Sequence, residues 1–133
     1  MSGATRDDFL LSVKRVLSER VGLRCSNPGC RQATSAPNTD PNSSTSIGVA
    51  AHITAAATGG PRFNPALTRE ERRAAANGIW LCQNCGKLID TDEPAYHEQS
   101  LLVWKADAEA EQEARVTRPR RRVDLGVARR RVA

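Results

Sequence analysis

Two pairs of closely spaced cysteines carry the most specific chemistry in this sequence. Four residues separate Cys25 from Cys30, and two separate Cys82 from Cys85. Two such pairs can supply the four thiolates of a tetrahedral Zn²⁺ site. Two disulfides are the alternative, but the N-terminus has no signal-peptide pattern, which indicates a cytoplasmic chain whose thiols stay reduced. We therefore predict a structural zinc site that joins the first third of the chain to its last third.

Two polar residues between these cysteine pairs, His52 and Asn77, could serve hydrolysis of a phosphodiester. A neutral imidazole near pH 7 can take a proton from water as that water attacks phosphorus, so His52 is a candidate general base. The amide of Asn77 could bridge backbone groups and hold the histidine in place. Each residue has a simpler interpretation: a hydrogen-bonded structural histidine for His52, and a left-handed helix end at Asn77-Gly78.

The elements that must position these residues follow from periodicity and capping signals. A helix is predicted to start near Thr5 and to stop at Gly22, with an apolar face that includes Phe9 and Leu17. The Ser-, Thr-, Asn- and Pro-rich stretch 32–46 predicts a mobile loop. Further elements are predicted as a strand over 47–53, a capped helix from Thr68 to about residue 76, a strand over 79–81, a short helix over 86–89 and a last helix over 98–115.

Several segments together resemble a bacterial branch of the HNH (ββα-metal) endonucleases. They are Gly48-Val-Ala-Ala-His-Ile-Thr, Gly59-Gly-Pro-Arg-Phe-Asn-Pro, Asn77-Gly-Ile-Trp-Leu-Cys-Gln-Asn-Cys and Lys87-Leu-Ile-Asp. The resemblance spans residues 23–108 and implies a small α+β fold: a ββα-metal finger stapled by the four-cysteine zinc site, with helices on either side. It also implies a metal-dependent DNA endonuclease, since members of this branch act as stand-alone domains or as nuclease heads of antiphage effectors.

Two positions depart from the pattern of that family. An acid usually precedes the first histidine, and a histidine usually follows the second cysteine pair, but this chain has Ala51 and Gly86 there. Both are positions that ligate the catalytic cation in the family. Asp90 lies four residues after Gly86, on the same helical face, and could bind Mg²⁺ or Mn²⁺ through its carboxylate instead. The alternative for Asp90 is an exposed acid at a helix end.

Basic charge is concentrated at the C-terminus. Residues 1–115 have a net charge of −1, whereas residues 116–133 have a net charge of +6. We therefore divide the chain into an N-terminal helix (1–22), the zinc-stapled domain (23–115) and a basic tail (116–133). Candidate phosphate contacts are Arg62, Arg118, Arg120, Arg121 and Arg122. A solvated linker is the alternative for the tail, because charge alone names no partner.

Two functions remain open from the sequence. The first is a nuclease that cuts double-stranded DNA in phage defence, aided by a regulatory domain or protein outside these 133 residues or by a second copy of the chain. The second is an HNH-fold zinc module that binds DNA or a partner without cutting. No apolar run approaches the ~20 residues of a membrane span, so a membrane protein is not expected.

Overall fold

A computed structural model describes residues 7–118, which contain four α-helices and two small antiparallel sheets. The helices are α1 (Leu11–Arg20), α2 (Arg69–Arg73), α3 (Gln83–Thr91) and α4 (Glu98–Thr117). The strands are β1 (Ser35–Pro37), β2 (Ser44–Ser46), β3 (Gly48–His52) and β4 (Gly78–Cys82). Short 3-10 turns cover Ala75–Asn77 and Glu93–Ala95. The predicted small α+β class is confirmed at this level.

The β3–β4 ribbon forms the centre of the molecule. The strands run antiparallel, with Gly48 opposite Cys82 and His52 opposite Gly78. Ile79 and Leu81 alternate along β4 and are fully buried, as a strand covered on one face requires. Helix α3 follows β4 without a loop and packs on both strands. The core around the ribbon is completed by Ile53, Ile89 and Leu101.

The N-terminal region differs from its prediction at one end. Helix α1 begins at Leu11 rather than near Thr5, and no side chain caps it. Residues 7–10 run ahead of it without helical structure. The predicted stop is confirmed, since Gly22 has φ +62°, a conformation that glycine adopts without strain. Leu17 is buried against Gly78, where a Cβ would lie 2.4 Å from the leucine Cδ1. Helix α1 therefore packs against the β3–β4 ribbon.

The stretch 32–46 contains two paired strands, so the prediction of a loop without strands was wrong. Strands β1 and β2 pair antiparallel, with Ser35 opposite Ser46 and Pro37 opposite Ser44. The turn between them is closed by the side chains of Asn38 and Asp40, which accept hydrogen bonds from backbone N–H groups two residues onward. The polar composition therefore belongs to an exposed hairpin, whose strands have no apolar face to bury.

Two predicted helices start where predicted, but α2 ends at Arg73, before its predicted end near residue 76. Thr68 and Glu71 form a complete capping box at the start of α2, each satisfying a backbone N–H of the other. Helix α4 starts at Glu98 as predicted and continues two residues beyond Arg115. Among the described residues, no helix is both long and apolar enough to cross a membrane.

Candidate functional site

The four cysteines converge on one point beside the β3–β4 ribbon. Their Sγ atoms all lie within 4.8 Å of one another, and the Sγ atoms of Cys30 and Cys82 are 3.9 Å apart. In a tetrahedral site with ~2.3 Å metal–sulfur bonds, neighbouring sulfurs are about 3.8 Å apart. All four cysteines are free thiols, so the disulfide alternative is not adopted. The cluster could hold a metal ion such as zinc.

Backbone and amide groups support this cluster. The turn after Cys25 is fixed by Asn27, whose side-chain oxygen accepts from the N–H of Gly29 and whose Nδ2 donates to the Cys85 Sγ at 3.4 Å. Cys82 caps α3, and the N–H of Cys85 donates to its sulfur. Burial raises the pKa of Cys25. For Cys82, burial opposes the change, but hydrogen bonds led by that from the Cys85 N–H lower the pKa of its thiol. Donors aimed at sulfur favour the thiolates that metal binding needs.

His52 lies at the end of β3, where the ribbon meets the N-terminal segment. Its ring stacks on Phe9 with centroids 3.9 Å apart and planes 9° from parallel. Its Nε2 lies 2.9 Å from the carbonyl oxygen of Asp7. A carbonyl oxygen only accepts, so Nε2–H is the donor. Sequence reasoning missed both partners, because an apolar residue at position 9 predicted only a helix face.

Asn77 is buried and fixes the chain just after β3. Its Oδ1 accepts from the N–H and from the hydroxyl of Thr54, at 3.0 and 2.9 Å. Its Nδ2 donates to the carbonyls of Thr54 and Arg72, both at 3.0 Å. Asn77 ends a 3-10 turn and Gly78 has φ −112°, so the left-handed Asn-Gly turn is not formed. The amide instead locks the segment that follows His52 to the segment that precedes β4.

Lys105 on α4 supports the same turn from the other side. Its Nζ donates to the carbonyls of Ala75 and Gly78, at 3.1 and 2.7 Å, and lies 3.5 Å from the carboxylate of Glu109. Burial lowers the pKa of Lys105, and Glu109 opposes that change. The last helix therefore contributes to holding the turn that contains Asn77.

His52 and Asp90 line one open cleft. The cleft has a volume of about 430 Å³, and its remaining walls come from Ala51 and the loop at 55–61. The Asp90 side chain is 54% exposed, and its Oδ1 lies 3.3 Å from the Arg62 guanidinium. The candidate base and the candidate cation ligand therefore line the same cleft.

Arg62 faces inward, which favours a structural role over the predicted phosphate contact. Its side chain is only 5% exposed, and all five of its guanidinium N–H groups are engaged, at 2.6 to 3.5 Å. Its acceptors are the carbonyls of His52, Ile53, Ile89 and Tyr96 and the carboxylate of Asp90. Its φ of +57° is unfavourable for a residue with a side chain, and these contacts offset that strain. Arg62 joins the end of β3 to the end of α3.

The remaining predicted positions are placed as follows. Gly86 is buried on α3, and a Cβ there would lie 2.9 Å from the Cγ2 of Val49. Arg118 is exposed at the end of α4. Arg120, Arg121 and Arg122 lie outside the described residues, as does most of the predicted basic tail. This chain matches no model of a known protein family and no curated protein.

Proposed function

We propose that this chain is a zinc-stapled endonuclease domain of the ββα-metal type, which hydrolyses DNA phosphodiesters with His52 as general base. The observation that carries the proposal is the shared cleft of His52 and Asp90 beside a ribbon and helix in the order β3, β4, α3. The four-thiol cluster joins the turn at residues 25–30 to the junction of β4 and α3, so zinc would stabilise that unit.

The proposed chemistry assigns a separate task to each side chain. With Nε2–H donated to the Asp7 carbonyl, Nδ1 is the nitrogen at which His52 would take a proton from an attacking water. Asn77 hydrogen-bonds to Thr54, which lies two residues after His52, and so keeps the end of β3 in register with the cleft. His52 and Asn77 must both be held in place before substrate arrives.

Asp90 is the residue that would hold a divalent cation. Mg²⁺ in nucleases and polymerases is commonly bound by one or two carboxylates, with substrate phosphate and water completing its shell. The half-exposed carboxylate of Asp90 fits that arrangement, although one of its oxygens also lies 3.3 Å from the Arg62 guanidinium. When bound, such a cation supplies positive charge against the developing phosphorane and the leaving oxygen.

A plasmid-nicking assay tests this proposal. Zinc-loaded protein is incubated with supercoiled plasmid and Mg²⁺ or Mn²⁺, with EDTA as the control. We expect nicked circles that disappear in His52→Ala and fall sharply in Asp90→Asn. His97→Ala is the matched control, because His97 is exposed and is the only other histidine of the chain. Nicking that survives in zinc-bound, folded His52→Ala would overturn the role of His52.

A specific observation favours a second candidate, a zinc module that binds DNA without cutting. Ala51 has no ligand atom, and Gly86 is packed so close to Val49 that even a Cβ would force a shift. Binding of the plasmid with no cleavage in any metal would support this candidate. Gly86→His combined with Val49→Ala, which makes room for the new side chain, should then introduce cleavage if only the ligand is missing. A role in phage defence stays a prediction in both cases.

A further inference from the structure

The segment that precedes α1 covers one face of His52. Phe9 is buried, and its ring lies parallel to the imidazole at 3.9 Å. The carbonyl of Asp7 receives the Nε2–H of the same imidazole at 2.9 Å. One contact constrains the plane of the ring and the other its rotation within that plane, so two residues 43 and 45 positions away both act on the orientation of the imidazole.

A set of polar contacts holds this segment on the domain. The N–H of Asp7 donates to the carbonyl of Ala56, in the loop that lines the cleft, at 3.1 Å. The Asp7 carboxylate is 7% exposed and receives the guanidinium of Arg69 at 2.8 Å and that of Arg72 at 3.4 Å. A buried carboxylate needs such partners, since leaving it unpaired would be strongly unfavourable. The ion pairs therefore fix the backbone of residue 7 where His52 needs its acceptor.

This arrangement is also joined to Asn77. The backbone carbonyl of Arg72 accepts from the Asn77 amide, while the Arg72 side chain donates to Asp7. Helix α2 thus contacts both the residue that orients the His52 ring and the residue that fixes the chain after β3. No local sequence pattern connects Arg72 with Asp7, because the two residues are 65 positions apart.

We propose that Asp7 and Phe9 are positioning residues for His52, with Arg69 and Arg72 acting through Asp7. The N-terminal segment is then an integral part of the catalytic site, and the site is incomplete without it. This inference rests on the proposed role of His52 as general base. Its test therefore needs one measurement on the imidazole itself and a second on catalysis.

The first measurement is NMR of the imidazoles in the zinc-loaded full chain labelled with ¹⁵N. We expect His52 to be an Nε2–H tautomer whose proton exchanges slowly with water and whose carbon-bound protons are shifted upfield by the Phe9 ring. Phe9→Leu should remove the upfield shift and speed exchange of the Nε2–H proton. Phe9→Tyr, which keeps an aromatic ring, should retain the upfield shift and the slow exchange. The signals of His97 are the internal reference. An unchanged His52 spectrum in Phe9→Leu would overturn the proposal.

The second measurement is the rate of plasmid nicking. Because small displacements of a catalytic group are costly, Phe9→Leu should lower kcat about tenfold with KM changed less than about twofold. Leu11→Ala, in an exposed residue two positions further on, should leave both constants unchanged. Equal kcat in Phe9→Leu and wild type would contradict the inference.

A second variant covers the case in which Phe9→Leu does not fold, as judged by zinc content and circular dichroism. Asp7→Asn keeps the size of the side chain but weakens both ion pairs, and we expect faster exchange of the His52 Nε2–H proton and a lower kcat. Unchanged values of both would overturn the proposal. If the wild type shows the expected His52 spectrum but no nicking, the positioning of the ring is supported and the proposed nuclease function fails.

Discussion

The buried amide of Asn77 gives the sharpest quantitative prediction. Asn77→Ala removes one acceptor and two donors from a site where each has a partner within 3.0 Å. The N–H and carbonyl of Thr54 and the carbonyl of Arg72 lose their side-chain partner. Asn77→Asp has almost the same size and retains the acceptor, but it places a carboxylate oxygen against the two carbonyls in place of the NH₂ group.

The magnitude follows from those three backbone groups. A buried polar group left without a partner costs about 1–3 kcal/mol, and water that enters the vacated space recovers part of this. We therefore expect Asn77→Ala to lower the free energy of unfolding by about 3 kcal/mol. For a domain of roughly 100 residues, that loss corresponds to a fall in Tm of about 10–20 °C. Asn77→Asp should cost at least as much, because it also buries a charge.

Thermal unfolding followed by circular dichroism, with zinc in excess, measures this loss. Asn38→Ala is the matched control, because Asn38 also hydrogen-bonds through both side-chain atoms but is exposed in the β1–β2 turn. The control should change stability by less than about 0.5 kcal/mol. A loss below about 1 kcal/mol in both Asn77 variants would refute the reasoning, since the amide would then not hold the loop after β3.

Three further predictions concern Arg62, the metal centre and one ion pair. Arg62→Lys keeps the charge but presents its donors on a single nitrogen, so urea denaturation should show that the free energy of unfolding falls by about 2 kcal/mol. An unchanged midpoint would contradict the structural role of Arg62. Cys82→Ser should abolish stoichiometric zinc in native mass spectra and unfold the domain, whereas a folded, zinc-bound variant would exclude the four-thiolate site. A hydrogen bond from Arg20 lowers the pKa of Glu109 below its ordinary value of 4.5. The ion pair therefore stabilises the fold fully above pH 4.5, and this stabilisation is lost as the pH falls through the lowered pKa. Glu109→Gln should therefore cost about 0.5–1 kcal/mol at pH 7 and progressively less below pH 4.5, and a constant cost over that range would show that the ion pair is not its source.

Local patterns in the sequence determined several parts of this protein. The two cysteine spacings predicted that four thiols would share one site, and their Sγ atoms do converge. The Thr68–Glu71 pair predicted a capping box, and Gly22 predicted the end of a helix. Each of these features depends on residues a few positions apart, or on a residue type with few alternative uses. Polar composition was a weaker guide, because it described the surface of the β1–β2 hairpin and said nothing about its pairing.

Only the tertiary structure decided what surrounds the candidate site. The sequence identified His52 but not Phe9 or Asp7, whose contacts with it depend on how α1 packs against the ribbon. It identified Arg62 as a cation but could not show that its guanidinium meets protein carbonyls instead of phosphate. The physical reason is that hydrogen bonds and ring contacts between distant residues depend on the burial and orientation of whole elements, which no local spacing encodes. The residue types of a site were thus readable from the sequence, whereas their partners were set by packing.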